Sequence, residues 1–341
     1  MRICEILLLL LSAGVCLYAS ATDLKKGIIS NKVILYAFPL IACINAIYYG
    51  VFCKDLLREF SLNVLILCVL GVLLYAVHVW AGGDSKLLIL VAFAMPARLY
   101  HYYSHEMFPT LSIVIFTFSV GYVYLMIHSL LCAVRKEKAY SDGNKKQTIV
   151  SFLKDYIYSS LYLTFFAQLF SRFLSTFYLE NQPLFLFINI FLVFLLFNFQ
   201  VFRSKWLLLV CAAADLALIF SSSHAYTHLP LWGYAVVALL FLSRQLISRY
   251  NYLEISAEEL KPGMIPAAAS VALMLPSGMA DLPSRLSEDL SCRLTEKQIA
   301  AIRKWFSKQK DVKEITIVRK IPFAIFITLG YFLFALMGIL R

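Results

Sequence analysis

The chain has 341 residues, 61% of them hydrophobic and only 15% charged, with a mean hydropathy of +0.77. That balance is far from an ordinary soluble domain and reads as a polytopic membrane protein. The formal net charge of +11 does not point to nucleic acid, because the lysines and arginines fall mainly in short loops between apolar runs, where they act as topology determinants. The eight cysteines include no CxxC pair and mostly lie inside apolar segments as small hydrophobes, so neither a zinc site nor a disulfide framework is indicated, and no metal or cofactor is expected.

In chain order, the first apolar run covers residues 3–21. Arg2, the leucine run and the Ala19-Ser20-Ala21 triplet have the outline of a secretory signal. Glu5 offsets Arg2, however, and Lys25, Lys26 and Lys32 follow the run, so the positive-inside rule favours an uncleaved helix with its N-terminus outside. Further windows of the roughly 20 residues that cross a bilayer lie near 33–52, 60–80, 108–134, 157–178, 183–202, 206–222, 229–248 and 321–340. A shorter window at 86–100 fits a helix that starts deep or ends at Pro96. The basic loops "TDLKKGIISNK", "GGDSK", "RKEKAYSDGNKKQ" and "FRSK", with the segment beginning "SRQLISRY", all fall on one side, whereas "YHYYSHEMFP", "LENQP" and "SSSHAYTHLP" carry almost no lysine or arginine. The alternation places Asp23, at the end of the first span, and Asp84, at the start of the fourth, together at the cytoplasmic face. Residues 250–319 are charged throughout and broken by Pro262, Pro266, Pro276 and Pro283, which suggests a small α+β module. Within it Thr295 and Gln298 have capping-box spacing, and "VKEITIVRK" alternates as a half-buried strand does. The expected fold class is therefore an all-α polytopic membrane protein of about nine to ten transmembrane helices with a small cytoplasmic α+β module near the C-terminus.

Acids at the edge of a bilayer are costly unless paired or hydrated. Two carboxylates that converge on one face cannot both ionise easily; they share a proton and can combine a general base with a general acid. That is the chemistry of aspartic proteases, in which one carboxylate activates water and the other protonates the peptide carbonyl. Gly82 and Gly83, just before Asp84, would let the backbone turn tightly into the helix and keep side chains clear of an extended substrate. Asp84 would also profit from the positive end of the helix dipole. Read alone, "GGDS" is equally a turn with an aspartate cap.

Taken together, "DLKKGIISN" from Asp23 to Asn31 and "GGDSKLL" around Asp84 resemble the two motifs of the type IV prepilin peptidase family. In that family an aspartate is followed eight residues later by asparagine, and a glycine-rich turn leads to aspartate, any residue, lysine and leucines. Ser30 stands where the family usually has proline, and Ala81 where the common GxGD form has its first glycine. The resemblance implies an intramembrane aspartic endopeptidase whose catalytic pair is Asp23 and Asp84. Such an enzyme removes the short basic leader of prepilin-like or prearchaellin-like precursors just before their hydrophobic helix. Bacterial members that also N-methylate the new terminus often carry a cysteine-rich segment, which is missing here, so cleavage without methylation is expected. Asn31 and Lys86 are candidates for support, with helix capping by Asn31 and membrane anchoring by Lys86 as the plainer roles. His78 is either a tuner of Asp84 or structural, and Arg172 and Asp215 either pair or serve packing.

The implied division is a prepilin-peptidase-like catalytic membrane domain over residues 1–134, a basic cytoplasmic loop over 135–156, additional transmembrane helices over 157–249, the cytoplasmic module over 250–319 and a C-terminal transmembrane helix over 320–341. The expected partners are precursor proteins with a basic leader and hydrophobic helix, and the lipid bilayer. A transporter or proton channel using the same acids, and a catalytically silent assembly protein, are the competing readings.

Overall fold

The computed structural model describes all residues except 78, 104–107, 136–144, 181, 197–199, 222–230, 287, 289–291, 310–313, 320 and 341. Every apolar window carries a helix. Among the described residues, four helical stretches are long and apolar enough to cross a membrane: Arg2–Lys26, Asn31–Phe52, Lys54–Ala76 and Leu111–Val134. Shorter apolar helices at Leu184–Phe194, Leu231–Ser243 and Ala324–Gly338 fall within the windows near 183–202, 229–248 and 321–340.

Helix α1 (Arg2–Lys26) places Lys25 and Lys26 at its negative pole and stops at Gly27, which takes a left-handed φ of 65° and donates its N–H to the Asp23 carbonyl at 2.8 Å. Helix α2 (Asn31–Ile47) runs on through a π-helical turn, Tyr48–Phe52. Helix α3 (Leu57–Ala76) follows, then α4 (Gly82–Ala94). Met95, the residue before Pro96, is extended at φ −81°, ψ 119° and ends α4, as a proline requires of its predecessor. Helix α5 (Leu111–Val134) completes this run.

A second group, α6 (Lys145–Phe173), α7 (Ser175–Glu180), α8 (Gln182–Leu196), α9 (Lys205–Ser221) and α10 (Leu231–Tyr250), builds its own core around Tyr162, Leu186, Leu208, Val237 and Phe241. Helix α6 begins at Lys145, inside the basic stretch 135–156. No glycine or proline interrupts the chain from there to Phe173, so nothing stops the helix from extending into the polar stretch.

A small mixed unit comes next, with β1 (Tyr252–Ser256), β2 (Ile265–Pro266), α11 (Ala268–Met274), α12 (Glu296–Lys308) and β3 (Glu314–Val318). The strands form an antiparallel sheet in the order β1-β3-β2, with Glu254 opposite Thr316 and Ile265 opposite Val318. Ile315 and Ile317 of β3 point into a core shared with Leu260, Met274, Leu294, Ile299, Ile302 and Trp305. The capping box of α12 forms as its spacing suggested: the Gln298 N–H donates to the Thr295 hydroxyl at 3.3 Å, and the Thr295 N–H to Gln298 Oε1 at 2.9 Å.

Helix α13 (Ala324–Leu340) then returns to the first group and packs on α5, α1 and α4. Phe334, Ile327 and Tyr331 join Leu8, Cys16, Leu87 and Ile113 in a single core. The contact is close because of what lacks a side chain: a Cβ on Gly330 would lie 2.8 Å from the Ile113 carbonyl and closer still to the Thr117 hydroxyl. Between α1 and α13 the seam is polar, with Ser20 Oγ 2.8 Å from Thr328 Oγ1 and Ser12 Oγ 2.7 Å from the Tyr331 hydroxyl. The outward faces carry exposed Leu10, Leu17, Leu35, Tyr36, Leu65 and Val69. Polar groups paired inside and apolar side chains outside are the arrangement that suits lipid, where no water satisfies a stray hydroxyl.

Candidate active site

Asp23 lies in the last turn of α1 and Asp84 in the first turn of α4, which pack against each other. Both side chains are nearly withdrawn from solvent, at 8% and 6% exposure. The Asp84 carboxylate feels the charge of Asp23 and, with opposite sign, that of Arg293. The two acids are therefore electrostatic neighbours, contributed by separate helices.

Each carboxylate is seated by a backbone amide. Asp84 Oδ2 accepts from the Ala81 N–H at 3.1 Å, and the Asp84 N–H donates to the Ala81 carbonyl at 3.0 Å. This is the acidic half of a capping box; Ala81 has no side-chain oxygen to supply the other half. Asp23 Oδ2 accepts from the Ala324 N–H at 3.2 Å. Ala324 is the first residue of α13, so its amide is one of those left without an intrahelical partner at a helix start.

Gly82 and Gly83 open α4, and neither is among the residues with positive φ; Ala81 before them is extended at φ −79°, ψ 157°. Their left-handed freedom is thus unused, and what Gly83 supplies is closeness. A Cβ there would stand 3.1 Å from Cβ of Ile29, the buried residue in the loop between α1 and α2. At Gly82 the added atom would meet only the edge of the Tyr75 ring, at 3.4 Å. Asn31 does not cap α2: it is that helix's first residue, and its Oδ1 accepts from Lys86 Nζ at 3.0 Å. The packing of α2 on α4 brings this ammonium within reach, so the two supporting candidates bridge the loop after Asp23 to the helix of Asp84.

An aromatic wall stands beside the α4 start. Trp80 is buried, stacks on Phe118 of α5 at 6.1 Å between centroids, and meets Phe323 edge-on at 5.6 Å. Ser85 Oγ donates to the Gly71 carbonyl of α3 at 2.8 Å and fixes the first turn of α4 from the other side. His78 lies outside the described residues. Arg172 is exposed in the last turn of α6, while Asp215 is buried within α9.

Sequence reasoning missed three contributors. The Ala324 amide is a backbone group and leaves no trace in residue type. Arg293, in the strap before α12, donates from Nη2 to the Gly27 carbonyl at 3.2 Å, but "SCRLTEKQ" reads only as the approach to a helix cap. Ile29 is an ordinary apolar loop residue until its distance to Gly83 is known.

The arrangement is thus two buried acids on neighbouring helices, each seated by a backbone amide; carboxyl groups that meet can share a proton and work on one water. Residues 10–134 match the family model described as the type IV leader peptidase family. Comparison with curated proteins and with solved structures gave no match.

Proposed function

From the match of residues 10–134 to the model of the type IV leader peptidase family, we propose that this protein is an intramembrane aspartic endopeptidase acting through Asp23 and Asp84. Its substrates are precursors of the prepilin or prearchaellin kind, cut between a short basic leader and a hydrophobic helix at the cytoplasmic face of the membrane. The observation that supports the reading is that two buried acids stand at the ends of α1 and α4, helices that pack on each other inside the matched segment.

The mechanism needs no other reactant than water. The ionised carboxylate takes a proton as the water oxygen attacks the scissile carbonyl, and the protonated partner donates to the carbonyl oxygen. The tetrahedral intermediate then collapses: the C–N bond breaks, a proton passes to the leaving nitrogen, and the products are a leader carboxylate and a free amino terminus. Asp84 sits at the positive pole of α4. Asp23 sits between the negative pole of α1 and the first amide of α13. No methyl transfer to the new terminus is part of the proposal.

The test is processing of a co-expressed precursor by Asp23→Asn and Asp84→Asn. An asparagine oxygen can still accept from the Ala324 or Ala81 amide, so both variants should reach the membrane at normal level, and each should abolish cleavage. Unimpaired processing by either one ends the dyad mechanism. The wild-type rate should also be bell-shaped in pH, failing on the acid side as the base gains its proton and on the alkaline side as the acid loses its own.

A further inference from the structure

We propose that Arg293 of the mixed unit is a positioning residue for the acid pair, fixing the loop after Asp23 through the Gly27 carbonyl and presenting a positive charge to Asp84. For the reaction it affects, this rests on the peptidase reading; for the hold on the loop it rests on the geometry of the Gly27 contact.

The contact joins positions 266 residues apart, far outside the segment that matches the family. On one side, Gly27 is the pivot between α1 and the loop to α2. Its N–H holds the Asp23 carbonyl and its own carbonyl receives Arg293 Nη2, so both polar groups of its backbone are engaged at the end of the helix that carries Asp23. On the other side, Arg293 is no wandering surface side chain. Its neighbour Leu294 is buried in the core of the unit and is pinned in both directions, its N–H to the Met264 carbonyl at 2.8 Å and its carbonyl to the Gly263 N–H at 2.9 Å. Thr295 follows at once as the cap of α12. The folded unit therefore sets where the guanidinium stands.

The same guanidinium opposes the charge of Asp23 at Asp84. Of the elements packed on α4, α1 brings Asp23, α3 brings the Tyr75 ring beside Gly82, α2 brings the uncharged Asn31 held by Lys86 of α4 itself, and α13 brings the Ala324 amide to Asp23. Arg293 is thus the cation that the mixed unit adds to this group. Its planar fork can donate to a carbonyl and lend its charge to a carboxylate at once, which a lysine's single ammonium reproduces only in charge.

The experiment uses the full chain in lipid nanodiscs, with Arg293→Gln, Arg293→Lys and, as control, Arg285→Gln, an exposed arginine of the same unit. Two readouts are taken: amide hydrogen exchange across residues 24–31, and the pH profile of kcat and KM with a prepilin-type precursor. Arg293→Gln is expected to speed exchange at Gly27 to Ser30, to lower kcat about tenfold with KM nearly unchanged, and to move the limb that Asp84 carries about one unit toward higher pH, since a carboxylate that loses a neighbouring cation takes its proton sooner. Arg293→Lys should restore the limb and leave the exchange fast; Arg285→Gln should match wild type. Wild-type exchange and an unmoved limb in Arg293→Gln overturn the proposal, as does loss of protection spread through the core of the unit with an unmoved limb, which makes the residue merely structural. If the wild-type protein cleaves no precursor, the peptidase reading fails while the exchange readout still decides whether Arg293 holds the loop.

Discussion

Ile29 and Gly83 show how much a single missing carbon decides at this site. A Cβ added at Gly83 would stand 3.1 Å from that of Ile29, tighter than ordinary side-chain contact, so the loop after Asp23 and the first turn of α4 leave little room along that line. Gly83→Ala should therefore push the two acid-bearing segments apart by a few tenths of an ångström, at about 1–3 kcal/mol for an overpacked contact, and processing should fall by about tenfold or more. Gly82→Ala meets only the rim of Tyr75 at 3.4 Å and should stay within about twofold of wild type. Parallel rate measurements on the two variants check this, and equal loss in both would show that the glycines matter for some other reason. As candidates, the two aspartates were legible in the sequence because carboxylates at a bilayer edge are costly, and Asn31 and Lys86 because they stand in the motifs around them. The bond between Asn31 and Lys86 was not, since spacing says nothing about which side chains meet across two helices. The amide that seats Asp23 belongs to the backbone and could not have been read from residue types.

Helices were easier to foresee than their neighbours. Hydropathy marks each apolar window, and Pro96 explains why α4 stops at Ala94. What a window cannot carry is its packing partner, because a leucine face fits lipid and protein alike. The attachment of α13 to α5 depends instead on Gly330, which lets the helices close on the Ile113 carbonyl, and its attachment to α1 on the Ser20–Thr328 and Ser12–Tyr331 hydroxyl pairs. Gly330→Val should force α13 off α5 and carry the Ala324 amide away from Asp23, giving a variant that inserts but does not process and that elutes as a broadened peak in detergent. Thr328→Val removes a hydroxyl that meets Ser20 Oγ and the Cys16 and Ala324 carbonyls, at about 0.6–1.7 kcal/mol for each bond lost, and should lower thermal stability while leaving a measurable rate. A Gly330→Val protein with wild-type processing would mean that α13 is not needed to seat the acid.

For the whole molecule, the family match ends at residue 134, but the packed group around the acids does not. It takes in α13, and the mixed unit reaches it through Arg293. Residues 1–134 expressed alone should therefore insert without processing any precursor, and co-expression with residues 135–341 should recover activity; precursor cleavage in membranes checks both. The order of segments was readable from composition, but the closure of the chain's two ends on each other was not, because it depends on contacts hundreds of residues apart. That closure has a consequence for biosynthesis. Ala324 leaves the ribosome 301 residues after Asp23, an interval of roughly 15–60 s at ordinary elongation rates. On the proposed mechanism, a nascent copy holds both acids in the bilayer throughout that interval with one of them unseated, and it stays silent until translation has delivered the amide.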